Sequence, residues 1–146
     1  MSRTIREFQV SSKKPEEVKQ YIANWFSENY FEVREWASKG KRLWVHKWFL
    51  FLGIKLSPQA GSIVAIRTDI SGCIAFEIIL RESGNSTLVH GEFYAPGSSI
   101  FLGSEWDLRE RSPLAGKWPR EEGYILMTKF IQSLEDFSLV STEPKS

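Results

Sequence analysis

The stretch from Ser62 to Ala95, SIVAIRTDISGCIAFEIILRESGNSTLVHGEFYA, constrains the fold more than any other part of this chain. It reads as three strands joined by two tight turns. Val64, Ile66 and Ile70 share one parity, with Ile63, Ala65, Arg67 and Asp69 on the other. Ile74, Phe76, Ile78 and Leu80 likewise oppose Cys73, Glu77 and Arg81. Strand side chains alternate between faces, so a two-residue period marks a sheet with one buried face. Ser71-Gly72 and Gly84-Asn85 stand where the chain must reverse, and such residues tolerate the positive φ of tight hairpin turns.

The flanking segments supply the rest of a domain. Thr4 to Val10 is expected to be a first strand, with Phe8 and Val10 facing one side. Pro15 suits a first helical turn, and Glu16 and Glu17 favour the positive end of the helix. Val18, Tyr21, Ile22, Trp25 and Phe26 then recur at one-face spacing, which predicts a helix over residues 15–29. Next come a strand from Tyr30 to Trp36, a Lys39-Gly40-Lys41 turn, and a strand from Arg42 to Ile54. The second half of the latter, WFLFLGI, is apolar throughout. It is far shorter than the roughly 20 residues of a spanning helix, and it reads as a strand covered on both faces. From Pro96 to Trp118 no period holds, so a long loop is expected there. Pro119 then opens a second helix, whose stripe of Met127, Phe130, Ile131, Leu134 and Phe137 includes Gly123 in its first turns, a position suited to close packing on the sheet.

The sum is an α+β two-layer domain over residues 1–140, followed by a polar tail, 141–146. It has an antiparallel sheet of five or six strands, two helices on one face, and the order β-α-β-β-β-β-β-α. Over most of the chain this order resembles two architectures at the level of topology. They are the START-type helix-grip fold, which encloses apolar ligands, and the half-repeat of the TATA-binding-protein-like fold. A single helix after the first strand favours the second.

Composition narrows the function classes. Lys plus Arg number 19 against 18 for Asp plus Glu, so no global field favours nucleic acid or acidic membranes. One cysteine, Cys73, and two histidines offer neither an internal disulfide nor a zinc site, and no cofactor is expected. With no charged-then-apolar leader, the chain is expected to be cytoplasmic, and no transmembrane segment is expected. Neither a Gly-x-x-x-x-Gly-Lys-Ser/Thr nor a Gly-x-Gly-x-x-Gly cradle occurs.

What stands out is aromatic content: 14% of residues, with six tryptophans. If the helices cover the face bearing Val64, Ile66, Ile74, Phe76 and Ile78, parity assigns the opposite face to a distinct set. That set is Trp44, His46, Trp48, Arg67, Glu77, His90, Glu92 and Tyr94, joined by Trp36 and, from the long loop, Trp106. Trp118, at the other end of that loop, could close over it. One reading is a ligand-binding face for something flat or apolar, or for a protein partner. The other is a second small core beneath the loop. His90 and Glu92 two residues apart point to one side, and with His46 they could form an acid–base group. Lys39, Lys41, Arg42 and Lys47, interleaved with Trp36, Trp44 and Trp48, have the character of a single-strand nucleic-acid binder. The expected function is therefore a small binding or interaction domain without catalysis, using the aromatic face under the 96–118 loop. A nucleic-acid module and a small enzyme are the alternatives, and a homodimer burying the face is a further outcome.

Overall fold

A computed structural model describes residues 3–36, 43–47, 53–56, 58–69, 72–96, 105–107 and 120–139. In chain order these form β1 (Thr4–Val10), α1 (Pro15–Glu28), β2 (Glu32–Trp36), β3 (Leu43–Lys47), β4 (Gly53–Leu56), β5 (Ser62–Asp69), β6 (Gly72–Ser83), β7 (Ser86–Pro96), β8 (Glu105–Asp107) and α2 (Arg120–Leu139). The main sheet is antiparallel, with the path β1-β7-β6-β5-β2, and β8 pairs with β7 beyond the start of β1. This is the α+β layout that the alternation implies, with one short strand, β8, within the span expected to be a loop.

The three central strands are joined by two-residue connections, because Asp69 pairs with Gly72 and Ser83 with Ser86. At the second connection Gly84 takes a φ of 61°, the positive value that the first central residue of a II′ turn requires. Such a connection always pairs odd-numbered residues of one strand with even-numbered residues of the next. Ile63, Ala65 and Arg67 therefore face the same side as Ile78, Phe76 and Ile74. That reverses the expectation for β5: Val64 and Ile66 lie on the side away from the helices, and Arg67 lies on the helix side. The strand is apolar on both parities and buried on both faces from Ile63 to Ile66, so alternation there carried no sign.

Both helices cover one face. Val18, Ile22 and Phe26 of α1 and Leu126, Met127, Phe130 and Leu134 of α2 pack on the side presented by Ala65, Phe76, Ile78, Val89 and Phe93. Gly123, early in α2, is buried. The centre is aromatic. Phe26 stacks on Phe130 with ring centroids 5.0 Å apart, and Phe76 meets Phe93 edge-on at 4.7 Å. Tyr21 stacks on Phe137 at 4.2 Å and hydrogen-bonds Ser133, tying the two helices together.

The expected single strand from Arg42 to Ile54 is two strands. β3 turns back on β4, with Leu43 opposite Leu56 and a register irregularity between Trp44 and His46. An apolar run such as WFLFLGI has no period from which to read a reversal. The hairpin does not extend the main sheet: it forms its own two-stranded sheet, and β4 approaches β7, two strands away from β5.

Helix α1 ends in a Schellman motif. The Phe31 N–H reaches the Phe26 carbonyl at 2.9 Å, and the Tyr30 N–H reaches that of Ser27 at 3.2 Å. The motif needs a left-handed residue between them, and Tyr30 fills it with a φ of 65° while 84% exposed. A Cβ in that region costs about 1 kcal/mol, and no burial offsets it here. Tyr30→Gly is therefore expected to raise stability by about 1 kcal/mol in urea unfolding. A loss of stability would mean that the tyrosine ring holds a contact worth more than the strain.

Candidate functional site

The sheet face away from the helices carries two different surfaces side by side. Val64, Ile66, Cys73, Ala75 and Tyr94 form a second buried cluster. Beside it, the β6–β7 register sets Glu77 directly opposite Glu92, and both are buried. Two carboxylates in an apolar wall are costly unless their oxygens are bonded and their charge is offset. Both conditions are met by residues brought in from outside the central strands.

Arg3, just before β1, supplies the cation. Its Nη1 donates to Glu77 Oε2 at 2.9 Å and to Glu92 Oε1 at 3.2 Å, so one nitrogen bridges the pair. Its guanidinium also lies 4.0 Å from the centre of the Tyr94 ring, within cation–π range. Gln59, in the turn after β4, completes the shell. Its backbone N–H donates to Glu77 Oε1 at 2.9 Å, and its side-chain amide donates to Glu92. The Tyr94 hydroxyl donates to Glu77. His90 Nε2 lies 2.9 Å from Glu92 Oε2, and its Nδ1 lies 3.5 Å from the exposed Glu7. A continuous polar chain therefore runs from buried Glu77 through Arg3, Glu92 and His90 to the surface at Glu7.

The environment pushes the two carboxyls in opposite directions. Burial raises the Glu77 pKa, outweighing the opposing Tyr94 hydrogen bond, the Arg3 charge and the Gln59 amide. Burial also acts to raise Glu92, but there the hydrogen bond from His90, the Arg3 charge and the Gln59 amide together win and hold it below the usual carboxylate range. Cys73 lies on the same face, and burial pushes its thiol far above the ordinary range.

Of the residues assigned to this face from sequence, the structure brings Glu77, His90, Glu92 and Tyr94 together. Arg67 is separated from them on the helix side of the sheet. Trp36 ends β2 opposite Ser62, Trp44 and His46 belong to β3 opposite Lys55 and Ile54, and Trp106 lies in β8 opposite Ala95. Trp48 and Trp118 lie outside the described residues, as do Lys39, Lys41 and Arg42 of the basic–aromatic stretch. Arg3 and Gln59 are the additions. Neither belongs to a periodic segment, so no pattern marked them.

Among the described residues, no group of three or more His, Cys, Asp or Glu side chains is arranged to hold a metal ion. None of the described helices is long and apolar enough to cross a membrane. A groove of about 400 Å³ lies elsewhere, on the helix side, between the start of α1 and the β2–β5 edge, walled by Glu16, Lys19, Glu35 and Ile63. The exposed Lys19–Glu35 ion pair spans it, and none of the polar cluster lines it. No protein family, curated protein or solved structure matches this chain.

Glu92→Gln is expected to cost about 3 kcal/mol at neutral pH, because it removes the carboxylate shared by Arg3 and His90 and leaves Arg3 with Glu77 alone. A carboxyl held low in the folded state stabilises above its unfolded pKa, and that stability is lost as pH falls through the folded value. The gap between wild type and Glu92→Gln, followed by urea unfolding, should therefore close on acidification toward about pH 3. Glu77 has the opposite sign: its contribution is complete below the unfolded pKa and is lost as pH rises through the folded value. Glu77→Gln should accordingly gain on the wild type between about pH 4 and 7. A flat difference over that range would contradict the raised pKa.

Proposed function

We propose that this chain is a small binding domain whose ligand site is the sheet face opposite the helices. The site would lie beneath the β3–β4 hairpin, with the long segment between β7 and α2 as its cover. The observation that supports this reading is the buried Glu77–Glu92 pair with its Tyr94 wall. An apolar filling of the same volume would stabilise the sheet as well or better, so a packed polar cluster here is better suited to recognition than to stability. Apolar Val64, Ile66 and Ala75 adjoin it, which fits a ligand with an apolar or aromatic body and one polar end. The compartment proposed with it is the cytoplasm, in keeping with a single buried thiol.

A protein partner is an alternative occupant, including a second copy of the chain seated on the same face. A nucleic acid is disfavoured there, because the paired carboxylates would meet phosphates with like charge. An acid–base enzyme is the second reading. Its specific support is that Glu77 and Glu92 face each other with pKa values pushed apart, the pattern of a carboxylic acid beside a carboxylate base. In that reading His90 orients Glu92.

The test is thermal unfolding of the wild type and of Glu77→Gln across a panel of small aromatic and amphipathic compounds, with light scattering for mass. A ligand at a hundred times its Kd should add about 2.7 kcal/mol to the wild type, and the variant should lose most of that gain. Equal gains in both proteins would put the ligand elsewhere. A species of twice the chain mass with tryptophans shielded from quencher would make the face an assembly surface instead.

A further inference from the structure

The polar cluster already holds a guest, and the guest belongs to the chain itself. Arg3 precedes the first strand and inserts its guanidinium between two buried carboxylates, against the face of a tyrosine. The cluster is more than a set of acids: it combines two carboxylates, an aromatic wall and the Gln59 amide, and a planar cation is seated in it. All four carboxylate oxygens are engaged by Arg3, Gln59, Tyr94 or His90. A second cation that pairs with both carboxylates as Arg3 does must take the place of one of these donors.

Arg3 is the donor best placed to leave. Gln59 is held from both directions, since its backbone carbonyl also accepts the Ser62 hydroxyl at 2.7 Å. His90 is fixed within β7 between β6 and β1, and Tyr94 between β6 and β8. Arg3 lies outside the strand ladder that begins at Thr4 and retains 14% exposure. The charge of the neighbourhood also extends outward. Among the described side chains of the cluster and its rim, Glu77, Glu92 and Glu7 supply three carboxylates against the Arg3 guanidinium, and Glu7 is 57% exposed. An approaching cation meets an attractive path rather than a barrier.

We propose that this cluster is a guanidinium-binding site which Arg3 occupies in cis, and that the ligand it serves carries a guanidinium that displaces Arg3. This rests on the reading of the face as a ligand site and specifies the chemistry of the ligand's polar end. A guanidinium is favoured over an ammonium because its weakly hydrated, delocalised cation pairs with carboxylates while resting against an aromatic ring. The Arg3 guanidinium already lies 4.0 Å from the Tyr94 ring centre, beside both carboxylates. Arg3 then acts as a tethered competitor. Its effective concentration, of millimolar order for a short tether, sets how strongly a free ligand must bind to enter.

The experiment titrates the full chain with methylguanidinium, with methylammonium and neutral methylurea as comparison probes. Binding is read by calorimetry and, in the wild type, by the NMR signal of the Arg3 Nε–H. Methylguanidinium should shift that signal and the amides of Gln59 and Tyr94. Arg3→Met should bind the probe at least about tenfold more tightly than wild type, because the tethered competitor is gone. Methylurea should do neither, and adding Glu92→Gln to Arg3→Met should abolish binding. If Arg3→Met does not fold, the wild-type NMR titration decides alone. An Arg3 signal unmoved at saturating probe overturns the proposal, as does a folded Arg3→Met that binds no methylguanidinium. If an uncharged ligand binds at this face in either protein while methylguanidinium does not, the cation chemistry fails and the binding face stands. If no probe or panel compound binds and the Arg3→Met loss matches that of an ordinary core ion pair, both fail. Tighter binding of methylammonium than of methylguanidinium would also overturn the choice of a planar cation.

Discussion

Two successive residues of β6, Phe76 and Glu77, set the character of the two sides of the sheet. The pleat sends Phe76 toward the helices, where it meets Phe26, Phe31, Phe93 and Phe130. It sends Glu77 the other way, into the bonds with Arg3, Gln59 and Tyr94. Because β6 is central, paired with β5 on one side and β7 on the other, a slip of one residue on either side would exchange a benzene ring for a carboxylate in a dry core. Few errors in a sheet cost more. The two-residue connections that fix this register are thus the constraint under which both the core and the polar cluster exist.

The two faces are stabilised by different physics. The helix side is a continuous aromatic and aliphatic packing, tolerant of small rearrangements among groups of similar size. The other side depends on a few directed bonds around buried charge. There the loss of one partner costs more than the bond was worth, because the remaining group is left buried and unpaired. Rigidity on one side and specificity on the other is a sound division for a domain that presents a face to something else.

Much of the fold was legible because periodicity and turn chemistry agreed. The stripes of α1 and α2 and the inward set Ile74, Phe76 and Ile78 follow from spacing alone. Glu77, His90, Glu92 and Tyr94 followed too, once β6 and β7 were joined by a two-residue turn. β5 was misassigned because its residues are apolar on both parities. The hairpin arithmetic that oriented β7 would have corrected it, since two connecting residues force Arg67 to Ile74's side. β3 and β4 were merged because an apolar run has no phase. Arg3 and Gln59 were beyond reach for another reason: each acts at a point in space assembled by distant segments, and neither sits in a repeat that could signal it.

The pairing of β1 with β7 has a consequence for how the chain reaches this state. Arg3 meets Glu92, 89 residues later in the chain, and every rung of β1 is made with residues 87–93. β1 is thus synthesised long before its partner and is among the last of these strands that can pair. Until β7 exists, the inward side chains of β1, Phe8 and Val10, have no sheet to join. Closing so long a loop carries an entropic cost that local helix and hairpin formation does not, which places this domain among slow, high-contact-order topologies. Glu77 and Glu92, already opposite each other once the β6–β7 hairpin forms, await their cation until β1 pairs with β7 and brings Arg3 with it.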